Sequence, residues 1–202
     1  MKKMMMIAAM LVATLSASAQ NEVGQVTLMP KVGLNLSTIT GDKEDKKTKA
    51  GVVAGVEAEY ALTEKFAVQG GLLYSMEGAK WSATESGVKG TYNMNVDYLQ
   101  IPILAQYYLV SGLAVKAGIQ PGFNVRHKQS FDLSSGSESY KDTENLEGVK
   151  SFSFSVPVGL SYEYKCFVLD ARYNIGVTKV FKDADYGRNS TFAITLGYKF
   201  AL

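Results

Sequence analysis

Eight charged residues could act together if the fold turns them toward one space. They are Lys31, Lys116, Arg172 and Lys199 against Glu57, Glu59, Glu163 and Asp170, four of each sign. Such groups can pair as salt bridges that fill the space, or line a path for ions. A carboxylate couple such as Glu57 and Glu59 could also serve as general acid and base. Bases stand among the acids, so pairing is the first reading and an ion path the second. Other reactive side chains are scarce. His127 is the sole histidine and Cys166 the sole cysteine, which excludes an HExxH site, a CxxC site and a disulfide framework. Asp183-Ala184-Asp185-Tyr186-Gly187 opens like a calcium loop, but its Gly comes one position early, and Ile194 stands where a bidentate Glu belongs. No GxSxG, GxGxxG or P-loop occurs. Only His127, Arg126, Glu77 and Asp97 could furnish an enzyme site at a loop rim. No catalytic residue, metal or cofactor is expected.

The elements that must position these charges follow from hydropathy of period two, which recurs eight times from Val26 onward. Phe152, Phe154, Val156, Val158, Leu160, Tyr162 and Tyr164 share one parity, while Ser153, Ser155, Pro157, Gly159, Ser161 and Glu163 take the other. Leu113, Val115, Ala117, Ile119, Pro121, Phe123 and Val125 likewise oppose Lys116, Gly118, Gln120 and Asn124. Successive side chains of a strand point to opposite faces, so each segment is a two-faced strand. All eight charges fall on the polar parity. Arg172 and Glu163, on strands joined at Lys165 and Cys166, are expected to be neighbours. The fourth segment changes phase: Met94, Val96 and Tyr98 share one parity, then Leu99, Ile101, Ile103 and Tyr107 the other. A β-bulge between Asp97 and Pro102 is therefore expected.

Connections alternate in length. Thr40–Lys49, Trp81–Thr91, Lys128–Lys150 and Lys182–Asn189 are long and polar; Thr63–Lys65, Val110–Gly112 and Lys165–Cys166 are tight. Outer-membrane barrels have an even strand number, short periplasmic turns and longer outer loops. The pattern thus predicts an all-β, eight-stranded, antiparallel, up-and-down transmembrane β-barrel with both termini periplasmic. Residues 1–19 read as a cleavable signal peptide: Lys2 and Lys3, an apolar run from Met4 to Leu15, then Ala17-Ser18-Ala19 before Gln20. Residues 20–202 form the barrel domain. A net charge of +2 offers no footprint for nucleic acid.

A secreted barrel of lipocalin type would alternate too, with its apolar face inward around a ligand. Here the polar parity is built from Gly, Ser, Asn and opposed charges, which suits a narrow lumen better than a soluble exterior, and aromatics gather near segment ends. The chain end, Thr195-Leu196-Gly197-Tyr198-Lys199-Phe200-Ala201-Leu202, resembles the outer-membrane assembly signal. Gly197, Tyr198, Phe200 and Leu202 carry that resemblance, and the chain departs from it by ending in Leu rather than Phe. Asp97-Tyr98-Leu99-Gln100-Ile101-Pro102-Ile103-Leu104 is similar to the "YLxIP" segment of the porin-like outer membrane protein beta-barrel domain family, akin to OmpA, OmpX and PorT-like barrels. The resemblance implies outer-membrane lipids around the protein and barrel-assembly machinery as a partner during insertion. It leaves three readings: a monomeric, non-enzymatic barrel that presents its loops, a narrow porin-like channel, and an outer-membrane enzyme. On cell fractionation the protein should travel with the outer membrane; recovery in the soluble periplasm would overturn the lipid-facing assignment.

Overall fold

The computed structural model describes residues 22–40, 46–85, 88–135, 138–146, 148–181 and 187–202. The signal-peptide segment and most of the Asp183–Gly187 stretch lie outside them. Twelve strands are present: β1 (Val26–Thr40), β2 (Lys46–Lys47), β3 (Lys49–Ala61), β4 (Phe66–Glu85), β5 (Val88–Gln100), β6 (Ile103–Val110), β7 (Leu113–Ser135), β8 (Glu138–Asn145), β9 (Phe152–Tyr164), β10 (Phe167–Lys179), β11 (Arg188–Tyr198) and β12 (Phe200–Ala201). Antiparallel pairing runs β1–β3–β4–β5–β7–β9–β10–β11, and β11 returns to β1. β6 continues β5 between β4 and β7, and β12 continues β11 along β1, so the ring has eight staves. The break between β5 and β6 falls at Pro102, which has no amide to give the ladder. Beside it the Ile101 amide donates to the Pro121 carbonyl at 2.8 Å.

Closure leaves one face of every stave outward and one inward. Outward go the apolar parities read from the sequence, including Val32, Leu34, Val56, Leu72, Leu160, Leu169 and Ile194, all exposed. Tyr60, Tyr107, Tyr164, Phe167, Tyr198 and Phe200 ring the short-turn end, while Tyr74, Phe123, Phe152, Tyr173 and Phe192 ring the other. Rings from adjacent staves touch edge to face, as in Phe167 with Tyr198 at 5.3 Å and Phe123 with Phe152 at 5.7 Å.

Local chemistry sets the turns. The Thr63 hydroxyl accepts the Phe66 amide at 2.9 Å, Gly112 takes a φ of 81°, and the two-residue turn at Lys165 and Cys166 places Lys165 at 55°. The exposed Cys166 thiol is free. At the seam the Leu202 amide donates to Val26 at 3.0 Å, and Gly197 packs so closely on Met29 that a Cβ would collide with it.

Two expectations change. The segments Trp81–Thr91 and Lys128–Lys150 are largely strand rather than loop. β4 pairs with β5 out to Glu85↔Val88, β5 with β7 to Val88↔Ser135, and β7 with β8 to Ser135↔Glu138. A four-stranded sheet therefore continues beyond the ring. Polar composition misled because runs such as Asp142, Thr143, Glu144 and Asn145 are exposed without the alternation that marks a wall strand.

The phase change in the fourth segment also has another cause. A register shift does fall between Asp97 and Tyr98, but the extra residue is Val125 on β7, and β5 with β6 keeps one parity throughout. Met94, Val96 and Tyr98 face inward, as do Gln100, Leu104, Gln106 and Tyr108. Their apolar side chains belong to an interior cluster, not to the lipid face. If the closing stave carries the insertion signal, Phe200→Ala with Leu202→Ala should lower the heat-modifiable folded fraction recovered in membranes. Equal assembly would mark these as ordinary strand residues.

Candidate functional site: the lumen

Buried side chains inside the barrel fall into three layers. The middle one draws Lys31 from β1, Glu57 from β3, Lys116 from β7, and Asp170 and Arg172 from β10. Arg172 Nη1 and Nη2 donate to the two carboxylate oxygens of Glu57 at 2.6 and 2.7 Å, and Nη2 also reaches Asp170 Oδ2 at 2.8 Å. This is the forked geometry in which a guanidinium binds a carboxylate best. Lys31 Nζ lies 2.7 Å from Glu57 and 3.5 Å from Asp170, and Lys116 Nζ lies 2.8 Å from Asp170. Gln69 on β4 completes the layer, accepting from Lys116 at 3.0 Å and donating to Glu57 at 2.7 Å. Each of the five charged residues is buried, with at most 5% of its surface exposed.

The second layer lies toward the short turns. Lys199, between β11 and β12, meets Glu59 at 3.0 Å and Glu163 at 2.7 Å. The Tyr108 hydroxyl donates to Glu59 at 2.9 Å and accepts from Lys199 at 3.2 Å. The third layer, at the opposite end, is apolar: Ile39, Ala79, Met94, Val96, Tyr98, Leu146 and Val180 are buried, with Trp81, Tyr92, Val149 and Phe181 packed against them.

The structure thus brings together all eight lumen charges, but with partners that differ from expectation. Glu163 joins Lys199 rather than Arg172, because pairing across the lumen follows the stagger of the staves and not the hairpin. Glu57 and Glu59 fall in different layers, so they form no acid–base couple. Gln69 and Tyr108 were not singled out from the sequence, although each has the inward parity of its strand. The apolar layer was hidden because an inward Met or Val looks like a lipid-facing one.

The four rim candidates do not assemble. Glu77 is buried inside, whereas Asp97 takes the outward parity between inward Val96 and Tyr98 and is itself buried beneath its neighbours. There Asp97 accepts from the Tyr74 hydroxyl at 2.7 Å and lies 3.7 Å from Arg126. His127 Nδ1 meets Asn124 Oδ1 at 2.8 Å in an exposed position. Among the described residues no cluster of His, Cys, Asp and Glu could hold a metal ion.

A closed ring of eight antiparallel staves, apolar outside and charged within, defines a transmembrane β-barrel. The chain belongs to the outer membrane protein beta-barrel domain family, whose model matches residues 18–182. Membership places it in the outer membrane. Among solved structures, Neisserial surface protein A is 12% identical over 87% of this chain and 97% of its own, with a TM-score of 0.50. Ail, the attachment invasion locus protein of Yersinia pestis, is 16% identical over 89% and 100%, at 0.49. At these identities the likeness is one of fold. No curated protein matches the chain.

Removing Arg172 would leave Glu57 and Asp170 short of a cation, and breaking a buried pair costs about 3–5 kcal/mol. Arg172→Glu should therefore lower the urea midpoint of the detergent-folded barrel sharply. Adding Glu57→Arg should recover part of the loss, while adding Glu163→Arg should not. Rescue by Glu163→Arg, or no loss at all, would contradict this network.

Proposed function

We propose that the protein is a closed, non-enzymatic outer-membrane barrel that anchors a rigid β-sheet extension and presents it outside the cell. The observation that carries this reading is the stack of two ion-paired layers and one apolar layer across the lumen. An eight-stranded barrel is only wide enough for side chains to fill, so such a stack leaves no continuous water path. The hairpins β4–β5 and β7–β8 support the presenting role, since they continue the wall's hydrogen-bonded pairing.

In this reading residues 1–19 are removed on export, and the short turns and both termini face the periplasm. The C-terminal stave, with Gly197, Tyr198, Phe200 and Leu202, is read by the assembly machinery. Every stave edge is paired within one chain, which suits a monomer. The sheet extension would serve adhesion, envelope integrity or another envelope system.

The porin-like alternative draws on a polar cavity between the middle and apolar layers, but passage would need both layers to move. In planar bilayers the purified barrel should give no stepwise conductance. Steady single-channel currents that Arg172→Ala or Lys116→Ala alters would establish the channel instead. Protease added to intact cells should cut only in the long connections, and cleavage at Thr63–Lys65 would invert the orientation.

A further inference from the structure

The interior-facing residues of three strands ascend in the same order. On β10, Asp170 and Arg172 lie in the middle ionic layer with Asn174 above them, and Val180, just past the strand's end, lies in the apolar layer. On β4 the sequence is Gln69, then Glu77, then Ala79; from Gln100 and Tyr98 on β5 it passes to Val96 and Met94. Between the two layers remains a small cavity of about 20 Å³, room for a solvent-sized occupant, lined by Glu77, Tyr98, Gln100, Asn174, Asn189 and Thr191 among others.

Glu77 is 2% exposed. Its carboxylate accepts from neutral donors: Gln100 Nε2 at 2.7 Å, Ser75 Oγ at 3.0 Å and Asn189 Nδ2 at 3.0 Å. Unlike the carboxylates of the two ionic layers, it makes no salt bridge among the described residues. The Lys49 ammonium donates to the Glu77 backbone carbonyl at 2.8 Å rather than to its carboxylate, and Lys179, on the cavity wall, has a partner of its own. Around the carboxylate stand oxygens with nothing to accept. Asn174 Oδ1 and Asn189 Oδ1 have no hydrogen-bond partner, and the Thr191 hydroxyl beside Glu77 makes no bond of good geometry. Asn174 and Thr191 are themselves 8% and 1% exposed.

We propose that this cavity is a binding site for one dehydrated or partly hydrated alkali cation, with Glu77 as its charged ligand and Asn174, Asn189 and Thr191 as neutral oxygen ligands. Carboxylate, amide and hydroxyl oxygens are the donor set of a hard cation. A single carboxylate matches a single positive charge, whereas a divalent ion would leave an unmatched charge in a medium of low dielectric. The ion would tie β4 to β10 and β11 just beneath the apolar layer.

The test uses the folded barrel in detergent. Urea midpoints are measured in sodium, potassium and choline chloride at matched ionic strength, alongside the linewidth of the sodium-23 resonance. A cation that binds only the folded state raises its stability in proportion to the logarithm of occupancy. The midpoint should rise in sodium or potassium over choline and saturate with concentration. Glu77→Gln should abolish that increment and any sodium line broadening, and Asn174→Ala, which keeps the carboxylate, should shift saturation to higher concentration. Equal midpoints in all three salts would mean that Glu77 is protonated or merely hydrated, and would overturn the site. An increment that survives in both variants would overturn it equally. None of these outcomes depends on whether the barrel conducts.

Discussion

Inside a bilayer no water is at hand for a backbone amide or carbonyl, so each must find a partner within the protein. For a sheet that demand is met only by closure. In this chain closure falls where β1 meets β11 and β12, from Lys31↔Gly197 through Thr40↔Arg188 and down to Thr27↔Ala201. Much of the design follows from it. A ring must have an inside and an outside, the alternation of the strand divides residues between them, and eight staves fix how little room the inside has.

That shortage of room explains why the interior is organised in layers. A charge that cannot be hydrated has to be answered by an opposite one, and the answers here come from across the ring. Glu57 on β3 is held by Arg172 on β10 and Lys31 on β1; Glu59 is held by Lys199 from the closing stave. Toward the hairpin end the chain changes strategy and fills the space with Ile39, Met94, Val96, Tyr98 and Val180. An apolar filling suits that end because Leu146, which follows the β7–β8 hairpin, packs there too, so the extension is seated on the same interior cluster.

The period of two made the ring and its two faces legible, because a wall strand with lipid on one side and charge on the other cannot disguise its parity. Arg172 and Lys116 could be placed inside for the same reason. What parity does not carry is distance across a closed ring. Glu57 and Arg172 stand 115 residues apart, and only the stagger of the staves sets them at one height, so Glu163 was matched to the wrong base. Met94, Val96 and Tyr98 were misread because alternation says which residues share a face, not which face it is; a polar neighbour normally decides that, and here the inner face is itself apolar. The sheet extension escaped notice because its polar residues, such as Asp142 to Asn145, do not alternate with apolar ones.

The ionic layers also act as spokes. Lys31, Glu57, Lys116, Asp170 and Arg172 join the neighbouring β1 and β3 to β7 and β10 elsewhere around the ring. Lys199, on the closing stave, reaches Glu59 on β3 and adds β9 through Glu163. A rim without spokes could be unzipped at its weakest seam, one hydrogen bond after another. In this wheel, parting β1 from β11 soon pulls on Lys31 and Lys199, and through them on staves at the far side. The seam can therefore be the last joint made during insertion without being the first to fail afterward, and the ring should be lost as a unit rather than peeled.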